Sequence, residues 1–341
     1  MGDIFLDRQV WKAIQRNGHT SILEKVREDL RGADLTFGNL ECPLSTVGPH
    51  SPSEALIFRA DPRAVQVLVD GGFDVVSLAN NHTLNAGTEG LLQTIDHLEQ
   101  AGIAYCGASR DPEASWEPCL FTVGRLTVGF LAATDLSFAH GSWCKVDEDL
   151  GELRAHVAAA AEQCDLLVTS FHWGNEYQNQ PTDRQQAVAR AAVESGADLV
   201  IGHHPHVLQG IGSYQGVPIL YSCGNFVFDQ REGERMESAL FHLRYTEGEG
   251  QHLRVVPVWI PRSRMGPVYS GEERSRKIIS RMAELSENLG VRLCVQANEG
   301  QTVIGLAPRP EAGTEPAEDK TPGAGLGADQ ERQGQPPLSK E

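Results

Sequence analysis

The chain has 341 residues, 40% hydrophobic and 22% charged, the balance of an ordinary soluble globular protein with room for one large α/β domain or two small ones. A formal net charge of −17 excludes non-specific nucleic-acid binding and obliges any anionic substrate to find local arginine, lysine or a bound cation. Seven widely spaced cysteines without a C-x-x-C pair form neither a disulfide framework nor a thiolate zinc site; they read as small buried hydrophobes in a reducing compartment.

In chain order, Asp34–Gly38 reads as a strand. Asp61 caps a helix with Pro62 in its first turn, and Gly71-Gly72 ends it. Phe73–Leu78 is a strand running into Asn80-Asn81-His82, and Thr88–Gln100 is a helix stopped at Gly102. Strands follow around Leu120–Val123 and Leu126–Ala132, then an Ala-rich helix over Gly151–Gln163. Asp165–Phe171 is a strand delivering His172; Thr182–Ser195 is a helix; Asp198–Ile201 is a strand delivering His203 to His206. Val217–Ser222 is a strand ending in Cys223-Gly-Asn-Phe226. Ala239–Tyr245 and Leu253–Trp259 alternate like an antiparallel pair, and Ser275–Leu289 is an amphipathic helix. From about Leu306 the chain is Pro-, Gly- and Glu-rich without aromatics, so it buries too little apolar surface to offset ordering entropy. The expected organisation is one α/β domain over 1–305, with a mixed sheet or two sheets face to face, and a disordered tail over 306–341. No apolar run approaches the roughly 18 residues of a membrane span, and no signal peptide is evident. The chain as written is expected in the cytoplasm, and at the membrane or exported if its start is truncated.

Chemistry concentrates where strands end, the edge at which α/β sheets present ligands. His172 follows a hydrophobic strand; His204 and His206 follow another, with Pro205 fixing the backbone between two imidazoles, a ligand type that suits zinc, iron and manganese. Alone, a strand-end histidine is as readily a hydrogen-bonded structural residue. In Asn80-Asn81-His82 an asparagine carbonyl can coordinate a hard metal and His82 can give a proton to a leaving group, although two asparagines in a turn are common. Upstream, Asp3 and Glu41 supply carboxylates, the group that bridges two ions in hydrolytic centres; by itself each would be a solvated acid.

The strings Gly2-Asp3, Asn39-Leu-Glu41, Ser77-Leu-Ala-Asn-Asn-His82, Phe171-His-Trp-Gly174, Gly202-His-His-Pro-His-Val207 and Ser222-Cys-Gly-Asn-Phe-Val-Phe-Asp229, in that order, resemble the bacterial capsule-synthesis CapA family. That family is linked to poly-γ-glutamate biosynthesis and falls in the calcineurin-like metallophosphoesterase superfamily. The resemblance covers about residues 2–260. It implies a four-layer α/β/β/α sandwich and a centre of one or two divalent ions (Mn, Fe or Zn) held by Asp3, Glu41, Asn81, His172, His204 and His206. Glu41 is then the bridge, His82 the general acid, and His203 is left out of the ligand set. The implied reaction is phosphoester hydrolysis by water activated at the metal. Arg8, Asn39, Asn85, Glu176 and Asn225 are candidates for substrate contact or for supporting the ligands, with Asp7 and Asp183 nearby; the structural reading of such residues competes with the functional one.

Three positions depart from the superfamily pattern. Phe5 stands where a metal-binding histidine is usual, and Asn85 where an acid is usual. Asp3 should follow a strand, yet only two residues precede it. Two functions therefore compete. One is a metal-dependent phosphoesterase-type hydrolase of polyglutamate or envelope metabolism, acting on an anionic small molecule or polymer. The other is a non-catalytic metal-containing accessory protein that binds an anionic polymer beside envelope-synthesis proteins. A soluble α/β protein with incidental histidines is the third reading.

Overall fold

Period-2 alternation along the strands sorts the side chains into three separate cores. The structure is a computed structural model that describes residues 1–50, 56–136, 144–230, 232–246, 250–298 and 301–306. The first half comprises β1 (Asp3–Ile4), helices α1 (Arg8–Asn17), α2 (Thr20–Leu23) and α3 (Arg27–Arg31), β2 (Phe37–Leu40), α4 (Val65–Gly71), β3 (Val75–Ser77), α5 (Gly87–Gln100) and β4 (Ala104–Cys106). The second sheet is built from β5 (Cys119–Val123), β6 (Leu126–Thr134), α6 (Gly151–Ala161), β7 (Leu166–His172), α7 (Asp183–Glu194), β8 (Leu199–His203), β9 (Ile211–Tyr214) and β10 (Val217–Leu220). The chain then returns to the first sheet as β11 (Asn225–Val227).

The first sheet is parallel throughout, in the order β11-β1-β2-β3-β4. The second runs β5-β6-β7-β8-β10-β9, with parallel pairs in its middle and antiparallel strands at both edges. Parallel neighbours require crossovers, which the helices provide. Because successive side chains point to opposite faces, Phe130 and Ala132 of β6 join Phe37 and Val75 of the first sheet in a core between the sheets, while Leu131 and Ala133 pack against Leu153 and Val157 of α6 and Val188 of α7. On the far side, Ile4, Leu40 and Val76 pack against Val10 of α1, Leu68 of α4 and Leu91 and Ile95 of α5. Helix on sheet, sheet on sheet, sheet on helix: this is the expected four-layer α/β/β/α sandwich, with each fully buried Leu, Ile or Phe contributing roughly 1.5–3 kcal/mol.

Downstream, β12 (Glu237–Thr246) and β13 (Gly250–Trp259) form a ten-residue antiparallel ladder, joined by β14 (Val268–Tyr269). The helix α8 (Glu272–Glu287) buries Ile278, Ile279 and Met282 at the end of the inter-sheet core, and β15 (Leu293–Asn298) pairs with β16 (Gln301–Leu306). No helix of the described residues is long and apolar enough to cross a membrane. Cys42, Cys106, Cys144 and Cys223 are buried, as expected of small hydrophobes, whereas Cys119 and Cys164 are half-buried and Cys294 is exposed, against that expectation.

The sequence pattern and the structure differ in several places. The strand expected at Asp34–Gly38 is Phe37–Leu40, because Asp34 and Leu35 lie in the turn that enters it. The helix expected from Asp61 opens as a 3-10 turn at Pro62–Ala64 and becomes α-helical only at Val65, although Asp61 does cap it by accepting from the Arg63 amide. Gly72 ends α4 in the left-handed region at φ 75°, a conformation glycine adopts without a Cβ clash. Of the helices of residues 8–31, α2 and α3 span only about a turn each and carry no sustained period, whereas the ten-residue α1 buries Val10, Ala13 and Ile14 on one face and is absent from the sequence reading. Asp3 does not follow a strand; it lies within one, two residues long, flanked by β2 and β11. Leu306 belongs to β16, and residues 307–341 of the expected tail lie outside the described residues.

Gly202 on β8 has no room for a side chain: a Cβ there would meet the Tyr221 carbonyl oxygen at 2.0 Å and Trp173 Nε1 at 2.5 Å. Gly202→Ala is expected to destabilise the fold by about 3 kcal/mol or more, as overpacking against rigid backbone does. Chemical denaturation checks this, and an unchanged midpoint would contradict the close packing described.

Candidate metal centre

The strand register brings the site together. Asp3 lies opposite Asn39 on one side and Asn225 on the other, and Asn39 lies opposite Ser77, so β11, β1, β2 and β3 present a row of polar side chains. Asn39 and Ser77 share the parity of Phe37 and Val75, which face the second sheet. On that sheet His172 of β7 pairs in register with His203 of β8. Both sheets thus end their inner faces in polar groups at one edge.

Glu41 lies one residue beyond β2, fully buried, its amide donating to the Ile4 carbonyl. Neither of its carboxylate oxygens meets a hydrogen-bond donor among the described residues. Three imidazoles converge on one of them: His206 Nε2 at 3.6 Å, His172 Nε2 at 3.8 Å and His82 Nε2 at 3.9 Å from Glu41 Oε1. These separations are too long for hydrogen bonds and close to the roughly 3.0–3.6 Å between two ligands that each sit about 2.1 Å from a shared ion. Asp3, Glu41 and His172 form one group whose ligand atoms lie within 4.8 Å of one another; Glu41, His204 and His206 form a second, with Glu41 common to both. A cation fits this donor set, since it would satisfy a buried carboxylate that meets no hydrogen-bond donor among the described residues.

Asp3 is treated differently from Glu41. Its Oδ1 receives Asn39 Nδ2 at 2.9 Å and faces His203 Nδ1 at 3.1 Å; its Oδ2 faces the His204 amide at 3.3 Å and His206 Nδ1 at 3.4 Å. Burial pushes the Asp3 carboxyl up, but the His203 and His206 imidazoles facing it outweigh burial and hold it well below the usual range. For Glu41, burial and the Asp3 charge act together and raise it well above. Burial pushes His82 down to about 4, and burial with the nearby His206 pushes His204 down to about 3. His206 is opposed by burial yet raised to about 9 by the Glu41 and Asp3 carboxylates.

Asparagines fix the ring orientations. Asn225 Oδ1 lies 2.9 Å from His206 Nδ1, while its amide donates to the His206 and Arg235 carbonyls. Asn39 Nδ2 also lies 3.3 Å from His172 Nδ1. Asn81 Oδ1 lies 2.8 Å from His172 Nε2, and its Nδ2 lies 3.1 Å from His82 Nε2. Asn85 Oδ1 accepts from the Phe58 amide at 2.7 Å and lies 2.9 Å from His82 Nδ1, which places the proton of neutral His82 on Nδ1 and turns Nε2 toward the centre. Arg8 is paired with Asp229, and Glu176 is exposed, acting on Glu41 and His206 through its charge. Asp7 caps α1, and Asp183 stands in the first turn of α7. Phe5 is fully buried between Phe58 and Phe228 and offers the centre no donor atom.

Two residues of the quoted strings take part at the centre outside the expected ligand set. His203 is set against Asp3. Asn80 donates to Asn39 Oδ1 and the Leu40 carbonyl while its Oδ1 receives the His82 amide, tying the Asn-Asn-His turn to β2. Adjacency to Asn81 was the available signal for Asn80; nothing in the sequence distinguishes a histidine that faces a carboxylate from one that faces an ion.

Among the described residues, seven other than glycine have positive φ, and four of these lie at this centre: Arg8 at 50°, Tyr177 at 63°, His204 at 94° and His206 at 57°. Such conformations cost about 1–3 kcal/mol each and persist where the surroundings over-determine them. Here the Tyr177 amide donates to the Pro205 carbonyl at 2.8 Å, pinning the loop that carries both histidines.

Residues 1–230 match the bacterial capsule synthesis protein PGA_cap family. The chain is 33% identical over 295 residues to the PGA biosynthesis protein CapA of Bacillus subtilis (strain 168), covering 83% of this chain and 77% of that one. It is 32% identical over 290 residues to the capsule biosynthesis protein CapA of Bacillus anthracis, covering 81% and 70%. A solved structure of a novel phosphatase from Mycoplasma pneumoniae superposes with a TM-score of 0.42 at 15% identity, over 78% of this chain and 88% of that one. From the family match over two thirds of its length and two relatives above 30% identity, the chain belongs to the bacterial capsule synthesis protein PGA_cap family.

Proposed function

We propose that this chain is a metal-dependent hydrolase of the phosphoesterase type that serves capsule or cell-envelope polymer biosynthesis. The observation that carries the reading is Glu41: a fully buried carboxylate without a hydrogen-bond donor among the described residues, common to two groups of metal-ligating side chains. In this reading Asp3, Glu41, Asn81, His172, His204 and His206 hold one or two ions of Mn, Fe or Zn, the metals that a mixed carboxylate and imidazole set suits. Once bound, such an ion supplies Lewis acidity toward a phosphoryl oxygen and lowers the pKa of water at the centre. The rest falls to the chain. Asn39 and Asn225 hold the rings of His172 and His206, and hydrogen-bonding partners of this kind sustain metal affinity. His82 presents Nε2 to the centre, where it takes up a proton and passes it to the departing oxygen; Asn85 keeps the ring in that orientation. The names of the Bacillus relatives, for PGA and capsule biosynthesis, support a polymer-related substrate and envelope-synthesis partners.

Phe5 favours a second reading, a non-catalytic accessory protein that keeps the metal and binds an anionic polymer. A buried aromatic ring two residues after Asp3 removes a donor from that side of the centre. Polymer binding that survives His82→Ala would favour this reading, and failure to bind polyglutamate at low salt would remove it.

Metal analysis by mass spectrometry on purified protein is expected to find stoichiometric Mn, Fe or Zn. His82→Ala is expected to retain that metal while hydrolysis of an aryl phosphate falls by about 10²–10⁴-fold, the range for removal of a proton-transfer group. Full metal with no turnover of any phosphate mono- or diester would overturn the hydrolase reading.

Glu41→Gln separates the two roles of the buried carboxylate. In metal-free protein the uncharged amide removes a buried charge and donates to its neighbours, so stability is expected to rise by about 1–3 kcal/mol. The same change is expected to abolish the rise in Tm that the parent shows on adding Mn²⁺ or Zn²⁺. A metal-dependent Tm shift that persists in Glu41→Gln would contradict its place as the shared ligand.

A further inference from the structure

Arg8 combines four features that a purely structural arginine does not need. Its backbone is left-handed at φ 50° although it opens α1, so the chain is held in a disfavoured turn at that point. Its guanidinium lies on an aromatic shelf, with the central carbon 4.6 Å from the Phe5 ring centre and 5.0 Å from that of Phe58. The shelf leads directly to the candidate centre: Phe58 stacks on His82 at 3.9 Å, Phe5 stacks on Phe228 at 4.8 Å, and Phe228 meets the His206 ring at 4.9 Å. Finally, the guanidinium is only partly used. Nη2 donates to Asp229 Oδ1 at 2.6 Å, while Nε is buried and meets no acceptor among the described residues.

We infer that Arg8 is the oxyanion-binding residue of the centre, holding a phosphoryl or carboxylate group of the substrate beside His82 and His206 on the Phe5–Phe58 shelf. The inference rests on the proposed function for the identity of the site, and it deepens that reading by naming what the substrate presents there. The chemistry follows from the geometry. In a chain of formal net charge −17, a bound ion offsets the Asp3 and Glu41 carboxylates, and a fixed cation at the pocket wall adds to the attraction of an approaching anion. A guanidinium offers a planar fork to an oxyanion, and contact with the Phe5 and Phe58 rings restricts where that fork sits before the anion arrives. Asp229 holds the far end and competes with the incoming anion, which tunes affinity downward and lets product leave. Phe5, which offers no donor to a metal, serves here as the floor under the arginine.

The test uses full-length, metal-loaded protein and two probes, inorganic phosphate and a short poly-γ-glutamate oligomer, titrated calorimetrically at low salt with metal content measured in every variant. Arg8→Gln is expected to keep its metal and to weaken binding of at least one probe by about tenfold or more. Loss confined to phosphate assigns a phosphoryl group to Arg8; loss confined to the oligomer assigns a carboxylate. Asp229→Asn frees the guanidinium from its competitor and is expected to tighten the same probe, an opposite sign that a merely structural ion pair would not produce. The double variant Arg8→Gln with Asp229→Asn leaves no buried charge unpaired, so its weakened binding would report the lost contact rather than a damaged fold. Unchanged affinity for both probes in Arg8→Gln, weakening in Asp229→Asn equal to that in Arg8→Gln, or a parent protein that binds neither probe would each overturn the inference. These are binding readouts, so they decide the role of Arg8 even if the parent hydrolyses no phosphoester, and turnover in the parent with unchanged probe affinity in Arg8→Gln would leave the hydrolase reading standing without it.

Discussion

A buried carboxylate that the protein does not satisfy is the constraint around which this molecule is organised. Placing an ionised group in a protein interior without hydrogen bonds is unfavourable by several kcal/mol, so such a group either holds on to a proton or is compensated by a charge brought from outside the chain. Glu41 is that group. Its neighbour Asp3 shows the alternative: also fully buried, it faces four nitrogen donors of the chain. The contrast divides the acids of the centre into one whose charge the protein supports and one that it leaves for a cation.

The scaffold follows from that division. Two sheets packed face to face carry their apolar side chains on alternating positions until the strands end, and at the ends the same alternation turns Asp3, Asn39, His172 and His203 into the space between the layers. The parallel arrangement is what puts these ends on a common edge, since strands running together finish together. Beyond the ends, turns take over. The His204-Pro-His206 loop and the entry to α1 both use left-handed backbone at residues other than glycine, so local strain is concentrated where the imidazoles and Arg8 must be aimed.

The surrounding asparagines matter as much as the ligands. Asn39, Asn80, Asn81, Asn85 and Asn225 link the carboxylates, imidazoles and turns into one hydrogen-bonded set. An amide offers both a donor and an acceptor without adding charge, which suits a pocket already crowded with carboxylates and imidazoles. Asn85 illustrates the consequence. It orients His82 as a carboxylate would, yet supports a protonated ring less, and burial then holds His82 at about 4.

Much of this was legible in the sequence because the information is local. Hydrophobic runs ending in Asn-Asn-His, Phe-His-Trp-Gly and His-His-Pro-His announce strands that deliver polar groups, and the alternation of the late strands announces an antiparallel pair. The cap Asp61 before α4 is likewise readable, since a cap bonds within its own turn. Short pieces were not legible: β1 has two residues and α2 four, too few for a period to show. What the sequence by itself determined was the set of chemical groups and the layered α/β architecture that carries them. What only the tertiary structure decided was which atoms meet: that His203 faces Asp3, that three Nε2 atoms surround one oxygen of Glu41, and that Arg8 lies on Phe5 and Phe58. Those contacts join residues up to two hundred positions apart, and strand register and packing between layers, rather than any neighbouring residue, set their distances.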